Sequence, residues 1–345
     1  MANVDMHICS VCVLPESFPG ITFNNDGICN FCQEARNKMT PSERFKLLQE
    51  EMSLAIETRR KFNQNDYDCI VAYSGGKDST YTLKLLVEKY RLRCLAVTLN
   101  NGFMSEQARE NCEVITSTLG VDYLVIKPAT SFMRNMYLES VKNTEIHAES
   151  AIKRASNICN SCINLINVQM IRVALQHGVS IIAGGYIGGQ VPKDAAKLEL
   201  DLAFLMKSRE KMQSKFISSF GTEAQYYMQI PQSLIMRSNI NNILIINPLL
   251  TVLLSEDEII TSISKLGWKK TIDTGRNSSN CRLNDLGIAI HYRQRGFNPY
   301  VFEISEQVRN GQLDRLEALE KVSTIPSFSD LTWQAARIGL KLDEY

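Results

Sequence analysis

Ser74-Gly75-Gly76-Lys77-Asp78-Ser79 is the stretch of this chain best equipped for chemistry. Glycines let the backbone approach oxygen atoms closely, and free N–H groups at a helix N-terminus point at negative charge. Lys77 can neutralise phosphate, Ser74 and Ser79 can donate hydroxyl hydrogen bonds, and Asp78 can hold a magnesium ion. A glycine pair alone would read as an ordinary turn. All six residues together read as a cradle for nucleotide phosphates.

The cysteines form the second chemical set. Six of the ten fall in Cys-x-x-Cys pairs, a spacing that suits metal ligation and poorly matches a secreted disulfide framework. Cys9-x-x-Cys12 and Cys29-x-x-Cys32 flank turn signals at Pro15, Pro19-Gly20 and Asn24-Asn25-Asp26-Gly27. A ribbon so poor in apolar residues cannot fold alone. Its four thiolates would give Zn2+ a closed tetrahedral shell, and the binding energy would supply the missing stability. A redox-active thiol set is the alternative. The third pair, Cys159-x-x-Cys162, lies far upstream of a single Cys281. Two close thiolates and one distant one can hold a 4Fe–4S cluster by three irons, leaving the fourth open to an exogenous ligand such as hydrosulfide. A second structural zinc or a redox pair remains open for Cys159 and Cys162. Cys69, Cys94 and Cys112 lie in apolar or helical runs and are expected to pack. Arg276, Arg282, His291, Arg293 and Arg295 gather around Cys281 in sequence, either as a solvated face or as a rim for an anionic substrate or sulfur donor.

These residues need a scaffold, and the apolar pattern supplies one. The runs 69–73, 94–99, 123–126, 180–183 and 243–246 read as buried parallel strands alternating with helices, the pattern of a doubly wound α/β sheet. Ligands in such sheets bind beyond the carboxyl ends of the strands. The phosphate cradle leaves the first strand there, and Gly184-Gly185 leave the fourth. Thr40-Pro41-Ser42-Glu43 opens a helix with a capping box, presenting Phe45, Leu48, Met52 and Ala55 as a connector that packs the ribbon onto the main domain. A helix is expected over 166–176, and the section after Asp273 is polar and then helical. We expect a cysteine ribbon over 1–39, the connector over 40–65, the nucleotide domain over 66–270 and a C-terminal helical extension carrying Cys281 over 271–345.

The hexapeptide resembles the PP-loop of the ATP pyrophosphatases, which share the adenine nucleotide alpha hydrolase-like fold and split ATP into AMP and pyrophosphate. It is not a Walker P-loop, whose spacing differs. A PP-loop, then Cys-x-x-Cys, then a lone Cys is similar to the order in the iron–sulfur-dependent thiolation enzymes of that group, which modify tRNA. The ribbon, the loop, Asn101-Gly102-Phe103 and the placement of Cys159 and Cys162 also resemble the N-acetyl sugar amidotransferases. The resemblance implies ATP and Mg2+ as cofactors, with Ser74, Gly75, Gly76, Lys77, Asp78, Ser79, Gly184 and Gly185 binding ATP and Lys77 and Asp78 catalytic. It implies a sulfurtransferase that adenylates a carbonyl or amide oxygen and replaces it with sulfur, on a small molecule or nucleobase, with sulfide or a sulfur-donor protein as partner. The alternative uses ammonia from a partner glutaminase on a sugar acetamido group. A tRNA thiolase ranks behind both, because Gly184-Gly185-Tyr186 stands where those enzymes often carry Gly-His and paired aspartates. A non-catalytic nucleotide-binding module would not need the whole hexapeptide.

A net charge of +1 offers no global field for nucleic acid. Met1–Asp5 shows neither the basic start nor the apolar core of a secretory leader. The longest apolar stretch, 243–254, contains Asn247 and Pro248 and is too short to span a bilayer. We expect a cytoplasmic homodimer with no membrane partner.

Overall fold

The computed structural model describes residues 7–36 and 39–344; Met1–Asp5, read above as lacking a leader, lie outside them. Six strands form one sheet: β1 Cys69–Ala72, β2 Cys94–Leu99, β3 Asp122–Ile126, β4 Ile181–Ala183, β5 Lys197–Asp201 and β6 Asn242–Ile246. Their order is β3-β2-β1-β4-β6-β5. All pairs are parallel except β5 with β6. The chain leaves β1 toward β2 and β3, then returns to place β4 on the other side of β1. That reversal opens the crevice in which ligands of such sheets bind.

Alternation along each strand divides the core between the two faces. Val71, Ala96, Ala183 and Ile246 pack with Leu83, Ile259 and Ile263 on one face. Ile70, Leu95, Ile182 and Ile243 pack with Val168 and Ile171 on the other. All five apolar runs read from the sequence are parallel strands. β5 was not anticipated. Lys197-Leu198-Glu199-Leu200-Asp201 pairs on one edge only and leaves Leu198 half exposed, so it lacks the continuous apolar run of a central strand.

The Asn157–Gln176 helix begins well before the 166 read from periodicity, because the Ser156 hydroxyl accepts from the Cys159 N–H at 3.2 Å and caps it. Cys159 and Cys162 therefore sit in its first turns. By length and hydropathy this helix could cross a membrane, but it is largely buried beneath the sheet, against β1 and β4.

The connector helix Pro41–Arg60 carries the full Thr40–Glu43 capping box. Phe45, Leu48, Met52 and Ile56 are its buried residues, with Ile56 in place of Ala55. The ribbon, however, rests on the C-terminal section. Phe18 stacks on Phe302 at 5.3 Å and meets Phe297 edge-on at 5.3 Å. Val301, Ile304 and Ala318 complete one core with Cys9, Cys12, Cys29 and Cys32. The ribbon is too small to bury its own aromatics, and the nearest apolar surface belongs to the Val301–Arg309 and Arg315–Ser323 helices.

Candidate active site

β1 ends at Ala72, and the Lys77–Lys84 helix starts with Gly76 as its N-cap. Between them Gly75 adopts φ +71°, and a Cβ there would lie 2.0 Å from the Ala108 carbonyl oxygen. Only glycine fits. The Gly75 carbonyl accepts from Trp268 Nε1 at 2.9 Å and from Asn111 Nδ2 at 3.3 Å, which pins the turn from the side away from the crevice. Ser74 and Ser79 hydroxyls lie 3.1 Å apart, and the Ser74 N–H donates to Ser79 Oγ at 3.2 Å. Lys77 Nζ donates to both Asp78 carboxylate oxygens at 3.0 Å. Burial works against the Lys77 charge, but Asp78, Glu256 and Glu303 outweigh it and hold the ammonium well above the ordinary lysine range.

A cavity of about 420 Å³ opens over this loop and brings most of the expected site together. Ser74, Gly76, Lys77, Asp78, Ser79, Gly184 and Gly185 line it, as do Cys159, Cys162 and Cys281. Gly75 does not; its conformation serves the packing against Ala108 rather than a direct contact. At Gly185 a Cβ would lie 3.0 Å from the Ser79 backbone, so the exit of β4 touches the start of the phosphate helix.

Cys281 reaches this cavity because its segment pairs with the loop after β2. The Ser105 N–H donates to the Asn280 carbonyl at 2.8 Å and the Arg282 N–H to the Phe103 carbonyl at 2.9 Å. Asn101 Nδ2 then faces two sulfurs, Cys281 at 3.5 Å and Cys162 at 3.9 Å. Tyr137 Oη donates to Cys162 at 3.5 Å, and Cys159 Sγ lies 3.8 Å from Asn284 Oδ1. Burial pushes the Cys159 thiol up to about 12 and Cys162 to about 11, and raises Cys281 as well. Without a cation the three stay protonated near neutrality.

Among the described residues, the ribbon cysteines are the one set of three or more Cys, His, Asp or Glu whose ligand atoms all lie within 4.8 Å of one another. Cys9 and Cys32 sulfurs are 3.9 Å apart, and Cys12 and Cys29 are 3.7 Å apart. A tetrahedral zinc with ordinary Zn–S bonds sets its sulfurs about 3.8 Å apart, so the quartet fits one ion. The backbone N–H groups of Val11, Cys12 and Cys29 point at Cys9 Sγ. Contacts with Cys29 and Cys32 hold Cys12 well below the thiol range, while contact with Cys12 raises the other two. Cys159, Cys162 and Cys281 do not form a shell of this kind. Their sulfurs are not all within 4.8 Å of one another, so as placed they do not close on a single ion.

The basic group around Cys281 does not assemble. His291 is buried edge-on against Phe297 at 4.8 Å, and desolvation, with Arg295 adding, lowers its pKa to about 3. Arg295 donates to the Thr144 carbonyl, Arg282 lies over Trp333, and Arg293 faces Phe328. Of the five, Arg276 lines the cavity. Sequence reasoning also missed Asn284, Tyr300 and Glu303, all of which line it. For Glu303 a signal existed: Glu303, Glu306 and Arg309 recur at helical spacing among apolar residues. Glu306 and Arg309 pair at 3.0 Å inside the protein, and Lys193 and Arg44 also meet Glu306, at 3.1 Å and 3.7 Å.

A mostly parallel sheet carries the Ser-Gly-Gly-Lys-Asp-Ser loop at its switch point, with a cavity over that loop, the layout of a nucleotide-binding α/β domain. Residues 68–214 match the arginosuccinate synthase N-terminal HUP domain. The chain is similar to the uncharacterized protein MJ1599 of Methanocaldococcus jannaschii, with 26% identity over 97% of this chain and 99% of that protein. Among solved structures it is similar to the U34-tRNA thiolase NcsA from Methanococcus maripaludis with its [4Fe-4S] cluster, at 15% identity and TM-score 0.38 over 91% of this chain and 86% of that one. It is also similar to the NH3-dependent NAD synthetase from Campylobacter jejuni, at 12% identity and TM-score 0.31 over 57% of this chain and 97% of that one.

Proposed function

We propose that the protein is an ATP-dependent sulfurtransferase of the AMP- and pyrophosphate-forming type. It would activate a carbonyl or amide oxygen of a small molecule or nucleobase and replace that oxygen with sulfur. The observation that carries this is the shared cavity: the phosphate loop and the three cysteines Cys159, Cys162 and Cys281 line the same space.

Ser74, Ser79 and the N–H groups at the start of the Lys77–Lys84 helix would hold the phosphates, with Gly184 and Gly185 allowing the nucleotide to lie close to the loop. Lys77 would turn from Asp78 to the pyrophosphate as negative charge builds there, and Asp78 would take Mg2+. When bound, a 4Fe–4S cluster on the three cysteines would supply an iron without a protein ligand, able to carry sulfide. Asn101 and Tyr137 would donate to the cysteine sulfurs and keep them oriented, as outer-shell groups do at metal sites. The ribbon quartet would hold a structural Zn2+.

Metal content of protein purified without oxygen tests this. A brown protein with about four irons and one zinc per chain is expected. A colourless protein with zinc in both cysteine sets would overturn the sulfur reading and favour ammonia as the nucleophile.

A further inference from the structure

Glu303 is a buried carboxyl, 8% exposed, in the Val301–Arg309 helix. It lies on the wall between the phosphate-loop cavity and a second cavity of about 960 Å³. Cys159, Tyr186, Tyr300 and Gly184 share that wall, so a molecule in the larger cavity would face the nucleotide across them. Gln190 Nε2 donates to Glu303 Oε2 at 2.8 Å, and Gln190 Oε1 in turn accepts from the Ile187 N–H at 3.2 Å. This places the carboxyl against the glycine-rich exit of β4. The approach is close: Gly189 has φ +90°, and a Cβ there would lie 2.4 Å from Glu303 Cα. The glycines at 188 and 189 are thus what admits this helix to the site. No hydrogen-bonded cation neutralises Glu303 among the described contacts. The groups facing it are Lys77 and Asp78 from the phosphate helix, Glu256 from the Glu256–Ser264 helix and Tyr300 from its own first turn.

We infer that Glu303 takes the N–H proton of the acceptor amide as that amide is adenylated. The inference rests on the function proposed above. The acceptor oxygen forms a bond to the α-phosphorus, and the bond from that phosphorus to the bridging oxygen breaks, its electron pair leaving on pyrophosphate. The N–H proton passes to the Glu303 carboxylate, and the nitrogen lone pair closes a C=N bond in the adenylated acceptor. The proton then stands ready for return to nitrogen when the nucleophile adds. Such a group works best when its protonated and ionised forms are both accessible at the working pH. Burial pushes Glu303 up to about 7, against the pull of Gln190 and Lys77. The C-terminal section would then supply a reacting group to the site from outside residues 68–214.

The test measures AMP and pyrophosphate release from ATP between pH 5.5 and 9, roughly two units either side of the value that favours such a group. Uridine 5′-monophosphate and UDP-N-acetylglucosamine are the amide probes, the one a ring amide and the other an acetamido group. Wild-type turnover should fall on the acid side of neutrality. Glu303→Gln should lower kcat by about 10²- to 10⁴-fold and erase that limb, with KM for ATP unchanged; Glu303→Asp should recover part of the rate. A Glu303→Gln enzyme within about threefold of wild type, with the same acid limb, overturns the inference. If the wild type turns over neither probe, the functional proposal fails for both acceptors, and infrared difference spectroscopy decides on Glu303 alone. A protonated-carboxyl band at pH 6 that vanishes in Glu303→Gln is expected; its absence in the wild type overturns the inference.

Discussion

The backbone N–H of Lys77 donates to the Ser279 hydroxyl at 3.0 Å, across 202 positions of sequence. A Cβ on Gly76 would lie 2.8 Å from the same oxygen. One of the amides that a phosphate would use is therefore occupied by a side chain from the segment that delivers Cys281. Phosphate entering the loop must take over that bond. Ser279→Ala removes the competitor and should tighten ATP binding by roughly two- to tenfold, the worth of one neutral hydrogen bond. Calorimetric titration checks this, and weaker binding would mean that Ser279 is itself a phosphate ligand.

Lys77→Ala and Asp78→Ala should each reduce pyrophosphate release by at least about 100-fold, because Lys77 supplies positive charge to the departing group and Asp78 would hold the Mg2+ that does the same. Circular dichroism should stay unchanged, since both side chains face the cavity rather than the core. Formation of ADP and phosphate by the wild type would refute the assignment of the loop.

Cys12→Ser or Cys29→Ser should cost the ribbon its metal and lower the melting temperature. Replacing one thiolate of a closed four-cysteine shell forfeits much of a binding energy of about 10 kcal/mol. Activity should fall as well, because the ribbon shares its core with Val301 and Ile304, which flank Glu303 on the same helix. Elemental analysis beside calorimetry is the check; unchanged zinc and unchanged melting would contradict a structural ion.

Acid should destabilise the fold through two histidines. Desolvation lowers His291 to about 3 and His147 to about 4, against an ordinary 6.5. Below that ordinary value the unfolded chain takes up protons that the folded chain refuses. Stability therefore falls as pH drops from 6.5 toward these values, by about 1.4 kcal/mol per unit for each histidine. Denaturant titrations at pH 7 and pH 5 should differ by a few kcal/mol, and His291→Phe should remove about half of that difference. An unaltered difference in the variant would show that His291 is not responsible.

The parallel strands and the phosphate loop were legible because buried strands and glycine turns leave local marks in sequence. Val71, Ile182 and Ile246 are apolar for the same reason that they are central. The ribbon was legible through the spacing of Cys9, Cys12, Cys29 and Cys32. What could not be read was the partner of each piece. Cys281 joins Cys162 through Asn101 because two loops pair by backbone bonds, and no periodicity records such a pairing. His291 looked cationic beside Arg293 and Arg295, but its side of the Asn284–Arg295 helix turns into the core and theirs does not. Glu303 left a trace in the helical spacing it shares with Glu306 and Arg309, but its place at the cavity wall comes from the tertiary approach of Gly189.

The packing of the ribbon on the C-terminal helices has a consequence for how the chain is made. Ser17 Oγ donates to the Gly296 carbonyl, 279 positions away, and Arg315 donates to the Cys9 and Cys12 carbonyls, 306 and 303 positions away. Cys9 to Cys32 leave the ribosome early, yet the surface that covers Phe18 emerges last. At ordinary translation speed the ribbon waits roughly 15 s to a minute for Phe297 and Phe302. During that interval metal can bind while the aromatics remain in water, so early capture of the ion would shield the four thiols from oxidation until the chain closes. Contacts this distant in sequence also raise the contact order, which slows refolding. The ribbon and the C-terminal helices can therefore close on each other only once residues 297–318 have been made, and the helix bearing Glu303 is part of that closure.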